Sequence, residues 1–301
     1  MRPNRPGRVE QVLAALGKSV CYVGLFLGMQ VLVMLPALFS AGIQAALGGG
    51  DEDEIYAAML NADVMTLTLI SGLLTIAVVL AFYLLRRKKL SEALWLRPVP
   101  APVLLTGASL APAMYFVVII VLTALPAAWT EGYGEASSSI STGSVIGVIS
   151  VVVVAPIGEE FIFRGLVMNR MSRVMPGWLA VLLSAAVFGL CHGELVWFCY
   201  AFALGALFGL IDLRAGSVLP SILGHVVFNA IGQIMTFVPE TEEGTEILIA
   251  LGVLLLVAIV CPILDRKGIA ALLHSGPAHA APGEWELPGE PGIYDYNPWD
   301  E

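Results

Sequence analysis

Charge is what this chain has least of. Lys, Arg, Asp and Glu make up only 13% of its 301 residues, against 58% hydrophobic side chains, and its mean hydropathy is +0.85. A water-soluble globule would find that balance hard to keep off its surface. The few basic residues sit in short clusters and form no stripe, and the net charge is −9, so nothing points to nucleic acid as a partner. Cysteine is scarce as well. Cys21, Cys191, Cys199 and Cys261 form no CxxC pair, which argues against a disulfide framework or a zinc knuckle and leaves them as small buried hydrophobes. The dense HExxH signature of zinc peptidases is missing, and no internal repeat is evident.

What the chain has in abundance is long apolar runs. Crossing roughly 30 Å of hydrocarbon takes about 20 helical residues. Such runs occur at about 20–47, 64–85, 103–125, 145–168, 178–192, 196–213, 218–238 and 247–264. They predict an all-α, polytopic membrane bundle of eight transmembrane helices. Basic residues precede the first run and follow the second (Arg86 to Lys89), fourth (Arg170, Arg173), sixth (Arg214) and eighth (Arg266, Lys267). Every second connection is positive and the others carry no Lys or Arg, which places both termini in the cytoplasm of a cell whose plasma membrane holds the bundle. The resulting division is a cytoplasmic segment at 1–19, a membrane domain at 20–267 and a Pro-, Gly- and acid-rich tail at 268–301 with no helical period, read as disordered. Glycine pairs at helical spacing, Gly24 with Gly28, Gly189 with Gly193 and Gly205 with Gly209, read as close helix contacts.

Ionisable groups inside apolar runs are costly, roughly 2.5–3.5 kcal/mol each on insertion scales, so each is a functional candidate. Glu159, Glu160 and Arg164 interrupt the fourth run; His192 and Glu194 follow the fifth; Asp212 ends the sixth; His225 and Asn229 lie on the seventh. Glu160 and Arg164 are four residues apart on one helical face and can pair, while Glu159 points about 100° away and stays free. His225 and Asn229 share a face for the same reason. Counted from the cytoplasmic helix ends, the Glu pair, His192, His225 and Asn229 fall within one layer roughly 10 Å thick. Three helices converging on one layer predict a shared, water-accessible cavity, expected to open to the cytoplasm. Asp212 reads as an interfacial partner of Arg214, and Glu194 as solvated.

A partly desolvated carboxylate beside a histidine can take a proton from water, and a His/Asn pair can donate to a tetrahedral oxyanion. That is equipment for peptide hydrolysis without a Ser or Cys nucleophile, because neither Ser184 nor Cys191 has a local base and orienter. Zinc stays open as a cofactor, with Glu159, His192 and His225 as candidate ligands. A proton-coupled carrier or a non-catalytic membrane scaffold are the competing readings.

"EEFIFR" at 159–164, "FGLCH" at 188–192 and "HVVFN" at 225–229 resemble the EExxxR, FxxxH and HxxxN motifs of the CAAX protease and bacteriocin-processing (CPBP, or Abi) intramembrane proteases, in that order. The resemblance covers about 145–238. It implies an endopeptidase acting on a peptide or membrane-associated protein, with Glu159 as general base, His192 binding the attacking water, Glu160 and Arg164 shaping the site, and His225 with Asn229 forming the oxyanion hole. Members are described as metal-dependent and as glutamate-dependent, and some prokaryotic relatives serve in immunity, so the cofactor and a non-catalytic alternative remain open at this point.

Overall fold

Each of the eight apolar runs folds as helix in the computed structural model, which describes residues 7–55, 64–140, 144–238 and 245–274. In chain order the helices, apart from the single turn Leu90–Ala93, are α1 (Arg8–Leu47), α2 (Val64–Leu85), α3 (Ala101–Ala124), α4 (Ala127–Ile140), α5 (Val145–Ser172), α6 (Gly177–Leu190), α7 (Leu195–Ala215), α8 (Leu219–Met235), α9 (Thr245–Leu264) and α10 (Arg266–His274). Five of them, α1, α2, α3, α5 and α7, are long and apolar enough to cross a bilayer, and α9 with α10 makes a sixth if that pair, bent by 60°, counts as one span. The expectation of eight full spans is reduced by α6 and α8, whose 14 and 17 residues reach about 21 and 25 Å, short of a hydrocarbon core. Residues 268–274 of the expected tail are helical and α10 packs on α3; the rest of the tail, 275–301, lies outside the described residues.

The helix α5 occupies the centre of the fold. All eight residues from Phe161 to Met168 are buried, a pattern open only to a helix with neighbours on every side; α1, α6 and α7 pack around this segment. The helix is not uniform. Ser150–Val154 and Phe161–Met168 take the wider π-helical winding, on either side of α-helical Ala155–Glu160. Around this axis, α3 packs extensively on α8, and α6 on α7.

Small residues set the closest approaches, though not all of those expected. Gly24 and Gly28 face open space, whereas Gly205 and Gly209 do let neighbours in. The tightest crossing is Gly107 of α3 against α8, where a Cβ would fall on the Pro220 carbonyl and where Gly224 faces Gly107 in return. Gly107→Ala is therefore expected to cost about 1–3 kcal/mol of stability by overpacking, read as a lower unfolding temperature in detergent; an unchanged temperature would rule out so close a crossing. The cysteines also depart from expectation. Cys21 and Cys199 are exposed and Cys191 and Cys261 half-buried, because an outward apolar face is stable where the solvent is lipid.

Candidate active site

Six polar side chains expected from sequence meet around one cavity of about 860 Å³, lined by Glu159, His192, His225 and Asn229 among others. Glu160 and Arg164 stand directly behind it, 0% and 1% exposed. The reason for two adjacent glutamates is visible in their surroundings. Arg164 Nη1 lies 3.1 Å from Glu160 Oε1, and the guanidinium also covers the Phe188 ring at 4.5 Å, admitted because Gly205 has no Cβ to block Nη2. Glu160 is thus neutralised by its neighbour one turn on, while Glu159 keeps 18% of its side chain exposed to the cavity.

His225 sits between the two acids. Its Nδ1 is 2.9 Å from Glu160 Oε1 and its Nε2 is 3.7 Å from Glu159 Oε2. The first is a hydrogen bond; the second leaves a gap too long for one. His192 donates from Nδ1 to the Phe188 carbonyl at 2.9 Å, which leaves Nε2 as its acceptor nitrogen when the ring is neutral. Its ring packs edge-on to Phe188 at 4.8 Å and against Trp197 at 5.4 Å.

Asn229 is held by a backbone defect that Pro156 creates. The Ala155 amide bonds to Ser150 O, five residues back, so the next carbonyl, Val151 O, would fall to the amide of residue 156. That residue is proline and has no N–H. Asn229 Nδ2 takes the place of the missing donor, 2.9 Å from Val151 O. One N–H of the amide group is thereby committed and the other remains for a ligand.

Several neighbours carried no sequence signal. Tyr115, Tyr133, Trp197, Tyr200 and Phe228 line the same cavity as a set of touching rings, with Tyr133 at 6.0 Å from Trp197 and 5.8 Å from Tyr200. Tyr133 comes from α4, outside the apolar runs; burial pushes its phenol above the ordinary range, partly offset by its hydrogen bond with Tyr200. Asp212 corrects an expectation. It is fully buried and its Oδ1 accepts from the Ser221 amide at 3.2 Å, in the first turn of α8, while Arg214 donates to the Leu272 carbonyl at 3.0 Å. Residues two apart on a helix do not face each other, so an Asp212–Arg214 pair is geometrically excluded. Glu194 caps α7, accepting from the Trp197 amide at 2.7 Å, and Ser184 spends its hydroxyl on the Phe163 carbonyl at 2.7 Å.

Among the described residues no group of three or more His, Cys, Asp or Glu side chains is arranged to hold a metal ion. Of the three candidates, His192 and His225 each commit Nδ1, to the Phe188 carbonyl and to Glu160, and each keeps Nε2 as the nitrogen that could face a ligand. The chemistry of these donors is compatible with zinc, but among the described residues they are not grouped around one point, and no step below runs through a metal.

Residues 141–231 match the family described as Type II CAAX prenyl endopeptidase Rce1-like. A curated relative, the putative membrane peptidase YdiL of Bacillus subtilis (strain 168), is 26% identical over 136 residues, which is 41% of this chain and 56% of that protein. The match thus spans little more than half the length of that relative. No solved structure is significantly similar. The matched segment holds the whole of α5, α6 and α7 and the part of α8 with His225 and Asn229. Residues 141–231 are therefore a domain of the Rce1-like type II CAAX prenyl endopeptidase (CPBP) family, set within a multi-pass membrane protein.

Proposed function

We propose that the chain is an intramembrane endopeptidase in which Glu159 activates the water that cleaves a peptide bond. The observation that carries this is the division of labour between adjacent acids: Glu160 is buried against Arg164 and His225, while Glu159 faces an open cavity. A carboxylate tied to a guanidinium keeps its charge and shapes the site; the other is free to take a proton. In the proposed sequence, water is bound between Glu159 and His192, whose acceptor nitrogen orients it. Glu159 removes a proton as the water oxygen bonds to the scissile carbonyl carbon. The resulting oxyanion is received by the uncommitted N–H of Asn229 and by Nε2–H of His225 in its doubly protonated form, Nδ1–H being given to the Glu160 carboxylate. The C–N bond then breaks and Glu159 returns the proton to the departing amine.

The proposal includes an eight-pass arrangement, with α6 and α8 completing the bundle as short membrane elements. A peptide or membrane-associated protein is the substrate class, as the family match supports. The reading is tested with purified protein in detergent and quenched peptides, plain and lipidated. Cleavage by wild type that Glu159→Gln lacks would support it; equal cleavage by both, or none by either in folded protein, would favour a scaffold or carrier. Because no three donors are grouped to hold a metal among the described residues, cleavage is expected to persist undiminished after treatment with a strong chelator. Loss on chelation and recovery with zinc would overturn the glutamate mechanism.

A further inference from the structure

Among the described residues the cavity is closed off at one end and reaches the other, and the two ends differ in charge. Every lysine and arginine of the chain except Arg164 lies at the start of α1, between α2 and α3, around the end of α5, at the end of α7, or just after α9. These segments are fastened to one another. The Val218 amide donates to Trp95 O at 3.1 Å, Ser217 Oγ to Arg97 O at 2.7 Å, and Asn169 Nδ2 to Glu92 O at 3.2 Å. Beneath them lies a solid apolar layer that includes Ala15, Trp95, Met171 and Val218, none more than 3% exposed. Trp95 holds a left-handed backbone, φ 53°, costly for a bulky residue; the turn lets the chain cross under α5, where the Leu94 carbonyl lies against Gly165.

At the opposite end no such layer is seen among the described residues. There the cavity is lined by Tyr133 and Ser137 of α4, by Cys191 after α6, and by Met235 and Thr236 at the end of α8. Among the described residues no lysine or arginine lines it, and the connections at this end, beginning at Gly48, Thr130 and Pro239, contain none. Basic connections stay in the cytoplasm. Cytoplasmic termini and a cytoplasmic mouth, both expected from sequence, are thus mutually exclusive, since α1 begins at the sealed end.

We infer that the cavity takes its substrate from the non-cytoplasmic side: an exported peptide, or a segment of a membrane protein presented at the outer surface. The word substrate rests on the peptidase reading; the sidedness rests on charge and packing alone. A cytoplasmic chain terminus has no route to Glu159 through the sealed layer.

The test is labelling with a membrane-impermeant thiol reagent in intact cells, on full-length protein with its four cysteines replaced by serine or alanine. Ser137→Cys reports the cavity mouth, Glu131→Cys the exposed side of α4, and Lys88→Cys the sealed end. Ser137→Cys and Glu131→Cys are expected to label without permeabilisation, and Lys88→Cys only after it. The reverse pattern would overturn the inference, as would a Ser137→Cys that labels only in permeabilised cells. A second readout uses wild-type protein in sealed vesicles: added peptide should be cleaved by right-side-out vesicles and spared by inverted ones. Labelling as expected with no cleavage in either orientation would sink the peptidase reading while leaving the sidedness intact; cleavage only by inverted vesicles would overturn the sidedness.

Discussion

Arg164→Met is expected to be the most destabilising single change in the protein. The guanidinium is 1% exposed and faces a glutamate that is 0% exposed, so removing it leaves Glu160 as a buried charge balanced by His225 alone. Breaking a buried ion pair from one side costs roughly 3–5 kcal/mol, because the surviving charge has lost its counter-charge but not its desolvation penalty. Methionine fills similar volume, which separates the charge effect from a cavity. The measurement is thermal unfolding in detergent micelles, with the double variant Glu160→Gln/Arg164→Met as control. That double variant removes both charges and should recover most of the lost stability. Equal stability of Arg164→Met and wild type would show that the pair holds nothing together.

Glu159→Gln should do the opposite, sparing the fold and removing the reaction. The side chain is partly exposed to the cavity and makes no close ion pair with Arg164, so a neutral isostere costs little in packing. Loss of the proposed general base is expected to lower kcat by about 10²–10⁴-fold with a small effect on KM. The split matters. A fall confined to KM would make Glu159 a substrate anchor, and a fall accompanied by unfolding would make it structural. Assaying Glu160→Gln alongside sharpens the contrast, since that residue is embedded in the ion pair and should lose stability and activity together.

The site was unusually legible for residues scattered over three helices. A charge inside a lipid-facing run is so expensive that Glu159, Glu160, Arg164, His192, His225 and Asn229 stood out without any knowledge of packing. The pairing of Glu160 with Arg164 followed from helical periodicity, which is local. The aromatic wall was invisible for the converse reason: Tyr133, Trp197 and Tyr200 are unremarkable near a membrane surface, and their meeting depends on how α4 folds against α7. Asp212 departs from expectation because its partner, Ser221 of α8, is nine residues away across a turn, whereas Arg214 is only two residues away in sequence. Val151 O is free to accept from Asn229 only because of the π-helical turn before Pro156, which no local sequence pattern announces.

Composition and charge order alone determined that this is a helical membrane protein, which polar residues share one layer within it, and which end of the bundle is basic. Those properties follow from the cost of placing polar groups in hydrocarbon, a cost paid residue by residue and therefore written in the chain. Tertiary packing alone decided which glutamate is bound and which is open, what holds Asn229, and at which end the cavity is sealed. These depend on contacts between residues distant in the chain, such as Trp95 with Val218 and Glu160 with His225, and no local pattern encodes the meeting of such pairs.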